Sequence, residues 1–332
     1  MKLGLYMATQ WCAGADLGPE LANLIEQTRA AKASGLASIM VGQHFVSSPL
    51  QMFQAMPLLA RLAAEAEGMQ LGPGLLLLPL LNPVIVAEET ATLDWLTGGN
   101  AIIGLGLGYR QEEFDSIGVP IKERVPRFIE AVEVIRKMWR DDVVEHHGRY
   151  HTLKGVHASL KPKRPGGPPI WMAGDVEVAV KRAAKLADAW MPSPMVTEEG
   201  VGRLGALFRE TRAAAGLPPA TEFPIIRECH VGRGVGKALD EVREPLFFKY
   251  EAYANWGGDS FVPANDIRRD FDAFSDVRFI IGSENEVVDR IGRYGERAGT
   301  DHMLLRVQWP GLDQKTTLGT LERLGRVVEK LK

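Results

Sequence analysis

Cysteine is nearly missing: Cys12 and Cys229 are the two in 332 residues. Two thiols so far apart make no disulfide framework and match no metal-site spacing. A long apolar run is missing as well. The richest stretch, Leu75 to Leu81, is cut by Pro79 and followed by Asn82-Pro83, and it falls well short of the roughly 20 residues that a bilayer-spanning helix needs. Neither sign of charge dominates, since 39 Lys and Arg stand against 42 Asp and Glu for a net charge of −3. No basic stripe offers a nucleic-acid surface, and no block of like charge forms a tail. The opening residues, MKLGLYMATQW, read as a strand entering a loop, without the apolar stretch and small-residue cleavage site of a secretory signal. The expectation is a cytoplasmic protein acting on a small-molecule substrate, with no nucleic acid, no membrane and no metal.

Among the residues, 45% are hydrophobic, enough for a full core in a chain of this length. Short β-rich runs alternate with helical ones. Leu3–Met7, Ser38–Val41, Gln70–Leu78, Ala101–Leu107, Ile170–Ala173, Ala189–Met191, Ile225–Val231 and Met303–Val307 read as strands. Helices are expected over Glu20–Ser34, Gln51–Ala66, Val84–Leu96, Val125–Trp139, Val178–Leu186, Thr197–Ala215, Lys237–Trp256, Glu284–Ala298 and Thr317–Leu331. Arg140–Pro169 and Gly257–Asp276 interrupt the rhythm as insertions, the first after strand four and the second near strands seven and eight. Repeated strand–helix units imply a parallel sheet with right-handed crossovers. About eight of them favour an α/β fold of one kind, a single (β/α)8 TIM barrel occupying residues 1–332 as one domain.

A barrel of this kind carries its chemistry on the loops beyond the C-terminal ends of its strands. His44, three residues past an apolar strand, is the sharpest candidate, because histidine exchanges protons near neutrality; the plainer alternative is a histidine packed in a loop. In GLGLGYR, Gly104 to Arg110, alternate glycines put bare backbone on one face, open to a close approach or to tight packing. Gly232 to Lys237, GRGVGK, lacks the spacing of a phosphate loop and reads as an ordinary turn. His146, His147, His151 and His157 read as solvated, since no cysteine or carboxylate arrangement completes a metal site. Phe247, Phe248, Tyr250, Tyr253 and Trp256 form a stripe on one expected helix, as core or as the wall of an apolar pocket. From Trp171 to Trp190 the chain runs strand, glycine turn, helix and strand, and a helix start of that kind suits a phosphate.

Together these pieces resemble the bacterial luciferase-like flavin-dependent monooxygenases, over nearly the whole chain. The most specific stretch is Leu75 to Trp139, with Asn82-Pro83, Ala87-Glu88, Leu93-Asp94, Gly98-Gly99, and the run from Gly108-Tyr109-Arg110 to Glu113-Phe114. Gln43-His44-Phe45 is similar to the family's strand-two histidine motif, and Trp171 to Trp190 to its phosphate-binding turn and helix. The resemblance implies reduced FMN with its ring over the barrel mouth, oxygen chemistry on the substrate, and His44 as the catalytic residue assisting proton transfer. It also implies cofactor contacts at Gly74, Leu75, Asn82, Gly108, Arg110, Ala173, Gly174, Asp175 and Val176, with a non-prolyl cis peptide at Gly74-Leu75. Backbone N–H groups of Gly174, Asp175 and Val176 would meet the phosphate, with Arg110 as a neighbouring cation. Two departures stand out: Val176 replaces a Ser or Thr, and Gln43 replaces the carboxylate that usually precedes the histidine.

Because the chain lacks a dinucleotide fingerprint, a separate flavin reductase is the expected source of reduced FMN. The same superfamily includes enzymes that transfer hydride with an 8-hydroxy-5-deazaflavin, which is the nearest alternative. A flavin-binding barrel without turnover is a third, and the retained His44 argues against it. The family commonly dimerises through helices early in the barrel, and the segment carrying Met52, Phe53 and Met56 is the expected contact. Light scattering should therefore give the mass of a homodimer, and a monomer would remove that expectation.

Overall fold

In the computed structural model, residues 1–232, 234–257 and 264–332 are described. In chain order the principal elements are β1 (Lys2–Met7), α1 (Glu20–Ala33), β2 (Ser38–Val41), α2 (Ala55–Leu62), β3 (Gln70–Pro73), α3 (Pro83–Leu96), β4 (Ile103–Gly106), α4 (Gln111–Ile117) and α5 (Arg124–Arg140). There follow β5 (Ile170–Ala173), α6 (Glu177–Leu186), β6 (Ala189–Met191), α7 (Glu198–Ala214), β7 (Pro224–Val231), α8 (Val235–Gly257), α9 (Ala264–Arg269), α10 (Phe271–Asp276), α11 (Glu284–Ala298), β8 (His302–Arg306) and α12 (Gln314–Lys330). The strands β1 to β8 are those of a TIM barrel. Their residues are mostly buried on both faces, as strands covered by helices outside and side chains inside must be.

Hydrogen bonding joins β7, β8, β1, β2 and β3 in parallel, and joins β4, β5 and β6 likewise. A parallel bridge between Leu71 and Ala101 links the two groups. Between β6 and β7 the link is a side chain: buried Arg227 donates to the carbonyls of Ser193 (3.3 Å) and Val196 (2.8 Å), and to the Tyr294 hydroxyl (2.8 Å). The core between barrel and helices is one large apolar cluster. Inside the barrel a smaller cluster holds Met40, Ile102, Trp171, Met191, Ile226 and Leu304. Local signals agree with these elements. Asn82 caps α3, with Pro83 in its first turn, and Ser283 and Glu286 close a capping box on α11.

Three expectations need correction, those for one helix, one strand and His146, and the insertions acquire structure of their own. The helix expected over Gln51–Ala66 begins at Ala55. Leu50–Met52 instead pairs antiparallel with Gln10–Cys12, and Gln51 donates to the carbonyls of Cys12 and Ala15. The strand expected over Gln70–Leu78 breaks at the cis Gly74–Leu75 peptide and resumes as Leu76–Leu77, which pairs with β4. Residues Arg140–Pro169 contain a hairpin, Val144–His147 with Thr152–Val156. Its turn is anchored by Glu130, which accepts from the backbone N–H groups of Arg149, Tyr150 and His151. His146 is therefore buried against Glu130 rather than solvated. The second insertion contains α9 and α10, and Ile280–Gly282 adds a strand beside the end of β7. Parts of the Gly257–Asp276 insertion and of the Gly232–Lys237 turn lie outside the described residues.

At the seam between β3 and β4 the two backbones approach closely. A Cβ on Gly72 would stand 1.7 Å from the Ile102 carbonyl oxygen. Gly72→Ala should therefore lower stability by about 3 kcal/mol, the upper end for overpacking, read as a fall in the urea midpoint. An unchanged midpoint would show that this seam opens freely.

Candidate active site

The C-terminal ends of the strands surround a cavity of about 690 Å³, within the range of ligand pockets. Of the residues expected at a site, His44, Gly74, Leu75, Gly108, Ala173, Gly174, Asp175 and Val176 line it. Asn82 and Arg110 do not. Asn82 uses its side chain to cap α3. Arg110 is buried on the far side of the histidine loop, where it donates to the carbonyls of Phe45 (3.0 Å) and Val46 (3.2 Å) and pairs with Glu112. Its guanidinium also lies 4.3 Å from the centre of the Trp256 ring. The structure thus makes Arg110 a brace for the loop after β2 rather than a phosphate contact.

His44 does have a carboxylate, supplied from another element. Glu113 in α4 is fully buried, and its Oε1 sits 3.0 Å from His44 Nδ1 and accepts the Phe45 backbone N–H at 2.9 Å. Gln43, where a carboxylate is usual, instead accepts the Leu77 N–H at 3.1 Å and so fixes the wall beyond the cis peptide. With the hydrogen on Nδ1, His44 donates to Glu113 Oε1, and Nε2 is the ring nitrogen left for a ligand. The second oxygen of Glu113 is buried without a hydrogen-bond partner. Around the histidine stand Tyr109, Tyr253 and Trp256, with ring centres 6.1, 6.3 and 5.5 Å away. Burial pushes the Tyr109 hydroxyl well above its ordinary range and that of Tyr253 to about 12, so both stay neutral.

The alternating glycines of β4 make room for Leu75. A Cβ on Gly104 would meet the Leu75 side chain at 2.8 Å, and one on Gly106 at 3.0 Å. Tyr6 donates its hydroxyl to the Gly74 carbonyl. This wall is flat and apolar, a surface suited to a planar ring. At the other side, α6 starts at Glu177 without a side-chain cap, so no side chain of the N-cap residue occupies the N–H groups that a helix start leaves over. A Cβ on Gly174 would lie 2.5 Å from that of Ala179, which explains the glycine. Asp175 holds this turn by accepting from the Ser193 N–H (2.9 Å) and hydroxyl (2.6 Å). An apolar wall and an uncapped helix start facing one cavity fit a flavin-type ring and its phosphate.

A second polar group on the cavity wall was not foreseen from sequence. Glu228 on β7 is fully buried and accepts from Lys249, from the Tyr250 hydroxyl (2.8 Å), from Arg306 (2.7 Å) and from Trp309 (2.5 Å). Lys249, Tyr250 and Arg306 also line the cavity. Burial alone would raise the Glu228 carboxyl, but the charges of Arg306 and Lys249 overcome it and hold it at about 2. Burial together with Arg306 brings Lys249 down to about 7 against the pull of Glu228. The available signal was charge in the wrong place: Glu228 and Arg306 sit inside apolar strands, and Lys249 sits amid aromatics.

Fold and site together define a barrel with a histidine–carboxylate pair in the wall of the cavity at its mouth. The sequence profile of the luciferase-like monooxygenases matches residues 1–302, and the chain belongs to that family. A phthiodiolone/phenolphthiodiolone dimycocerosates ketoreductase of Mycobacterium kansasii is 32% identical over 169 residues, covering 50% of this chain and 44% of that protein. The chain thus matches less than half the length of that relative. Among solved structures, monooxygenase RslO1 from Streptomyces bottropensis superposes with a TM-score of 0.88 at 20% identity over 99% of each chain. The FMN-bound oxygenating constituent of a 3,6-diketocamphane monooxygenase from Pseudomonas putida gives 0.82 at 19% identity, over 100% of this chain and 99% of that one. An F420-dependent secondary alcohol dehydrogenase gives 0.81 at 19% identity, with the same coverage. No helix among the described residues is long and apolar enough to cross a membrane.

The two titrating groups make a signed prediction. Glu228, with its pKa depressed, contributes stability that is complete above its ordinary value of 4.5 and is lost as pH falls towards 2. Lys249 is also depressed, so between about 7 and 10.5 the unfolded chain binds a proton that the folded one does not. Stability should therefore rise with pH across that window. Urea midpoints in a pH series should show this rise, and Lys249→Met should flatten it.

Proposed function

We propose that this enzyme is a monooxygenase that uses reduced FMN and dioxygen to oxygenate a small, largely apolar organic substrate. The observation that carries the reading is the His44–Glu113 pair set into the wall of a mostly apolar cavity at the barrel mouth. Bound reduced FMN would supply the two electrons that reduce dioxygen, one oxygen atom entering the substrate and the other leaving as water. Leu75 with Gly74 would support the ring, and the α6 turn at Gly174, Asp175 and Val176 would hold the phosphate. His44 gives or takes a proton at Nε2, and Glu113 balances the imidazolium that results. Tyr109, Tyr253 and Trp256 keep water from the histidine. The monooxygenase likenesses support this reading, and a separate reductase would renew the flavin.

Hydride transfer with an 8-hydroxy-5-deazaflavin is the second reading, favoured by the ketoreductase relative. The same histidine would then protonate the oxygen of a carbonyl group as hydride arrives on its carbon. Anaerobic titration separates the two. Binding of reduced FMN, followed by substrate-dependent oxygen uptake, supports oxygenation, whereas binding of the reduced deazaflavin alone overturns it. In either chemistry His44→Asn should lower turnover by about 10²–10⁴-fold while the cofactor still binds. Glu113→Gln should cost about tenfold or more, ~1.4 kcal/mol of barrel-mouth acid–base assistance. Unchanged turnover in His44→Asn removes the histidine from the mechanism.

A further inference from the structure

The cavity wall beyond Tyr253 carries more positive charge than the fold uses. Lys249 and Arg306 both line the cavity, at 1% and 8% exposure, and both bond the same oxygen of Glu228. The other oxygen takes the Trp309 N–H. One carboxylate therefore answers two cations. The remaining titratable groups around them are Tyr6, whose ring lies 4.3 Å beneath the Arg306 guanidinium, and Tyr250 and Tyr253, whose rings lie 4.8 and 5.3 Å from Lys249 Nζ. All three are held neutral by burial. Satisfying Glu228 needs one cation, since Arg306, Tyr250 and Trp309 already reach it. The second leaves a surplus positive charge that a low-dielectric wall tolerates poorly without a partner.

We propose that Lys249 and Arg306 form a subsite for the anionic head of the substrate, a carboxylate, held beyond Tyr253 from His44. A monoanion balances the surplus of one charge, whereas a phosphate dianion would reverse it. Burial and the neighbouring Arg306 lower the proton affinity of Lys249, and a carboxylate bound beside it would raise it again. The Tyr253 ring neighbours both poles, 6.3 Å from that of His44 and 5.3 Å from Lys249 Nζ. The substrate is thus an acid with a short apolar chain, its head on the cations and its reacting carbon towards the histidine. Naming the ligand a substrate rests on the oxidoreductase reading above, but its binding requires no flavin.

The test is equilibrium binding of hexanoate and its neutral isostere hexanamide to the cofactor-free protein below neutral pH. Hexanoate should bind at least about tenfold more tightly, and Lys249→Met, which leaves Glu228 paired with Arg306, should erase the preference. Equal affinities, no saturable hexanoate binding, or a preference that survives in the variant would each overturn the proposal. If the variant does not fold, the wild-type protein decides: the preference must fade as pH rises through about 7, and a preference constant with pH rejects Lys249. Displacement of hexanoate by FMN but not by riboflavin would assign the cations to a cofactor phosphate and likewise overturn the proposal. Failure of FMN to bind at all, with hexanoate still preferred, would retire the FMN reading and leave this one standing.

Discussion

Burying the Glu228 charge between barrel and helix would cost several kilocalories per mole if it stood alone, and the structure places four donors on it from β7's neighbours. They come from α8, from the end of β8, and from the loop beyond it. This arrangement decides where α8 lies. If Lys249 and Tyr250 moved away the carboxylate would lose two of its four donors, and with α8 held there its next turns bring Tyr253 to the cavity and Trp256 beside His44. Trp256 then meets His44 on one side and the Arg110 guanidinium on the other. The aromatic wall beside the histidine is thus a consequence of a buried ion cluster on the opposite strand.

Glu113 is the counterpart on the other side of the cavity, and it does a different task. It has few strong donors, one ring nitrogen and one backbone N–H, and an oxygen with no hydrogen bond. Arg110 stands 3.8 Å from it rather than in full contact. Glu113 is thus tied chiefly to the histidine and its loop, whereas the cations around Glu228 fix it as an anion. The two buried carboxylates therefore divide the labour: one anchors a helix, and the other orients the histidine and its loop.

Much of this was legible in the sequence. Parallel strands covered by helices are buried on both faces, so β2 (Ser38–Val41), β5 (Ile170–Ala173) and β6 (Ala189–Met191) announce themselves as short apolar runs bounded by turns. His44 and the Gly174 turn were legible because position after a strand suffices to place them at the mouth. Glu113, Glu228, Lys249 and Arg306 were not, because their meaning lies in contacts 69, 21 and 78 positions apart along the chain. Arg110 was misread for the same reason: a cation next to a glycine turn resembles a phosphate ligand until its fork is seen closed on the Phe45 and Val46 carbonyls.

Gln43 shows how the departures from the family's pattern fit together. A carboxylate there would stand beside a backbone N–H, that of Leu77, and next to the residue whose ring already meets Glu113. With an amide at 43, the Leu77 N–H is still satisfied, the wall beyond Gly74–Leu75 is still fixed, and one carboxylate remains to balance the histidine. Gln43 thus serves the wall and Glu113 of α4 serves the histidine, so the residue before His44 is free to be an amide.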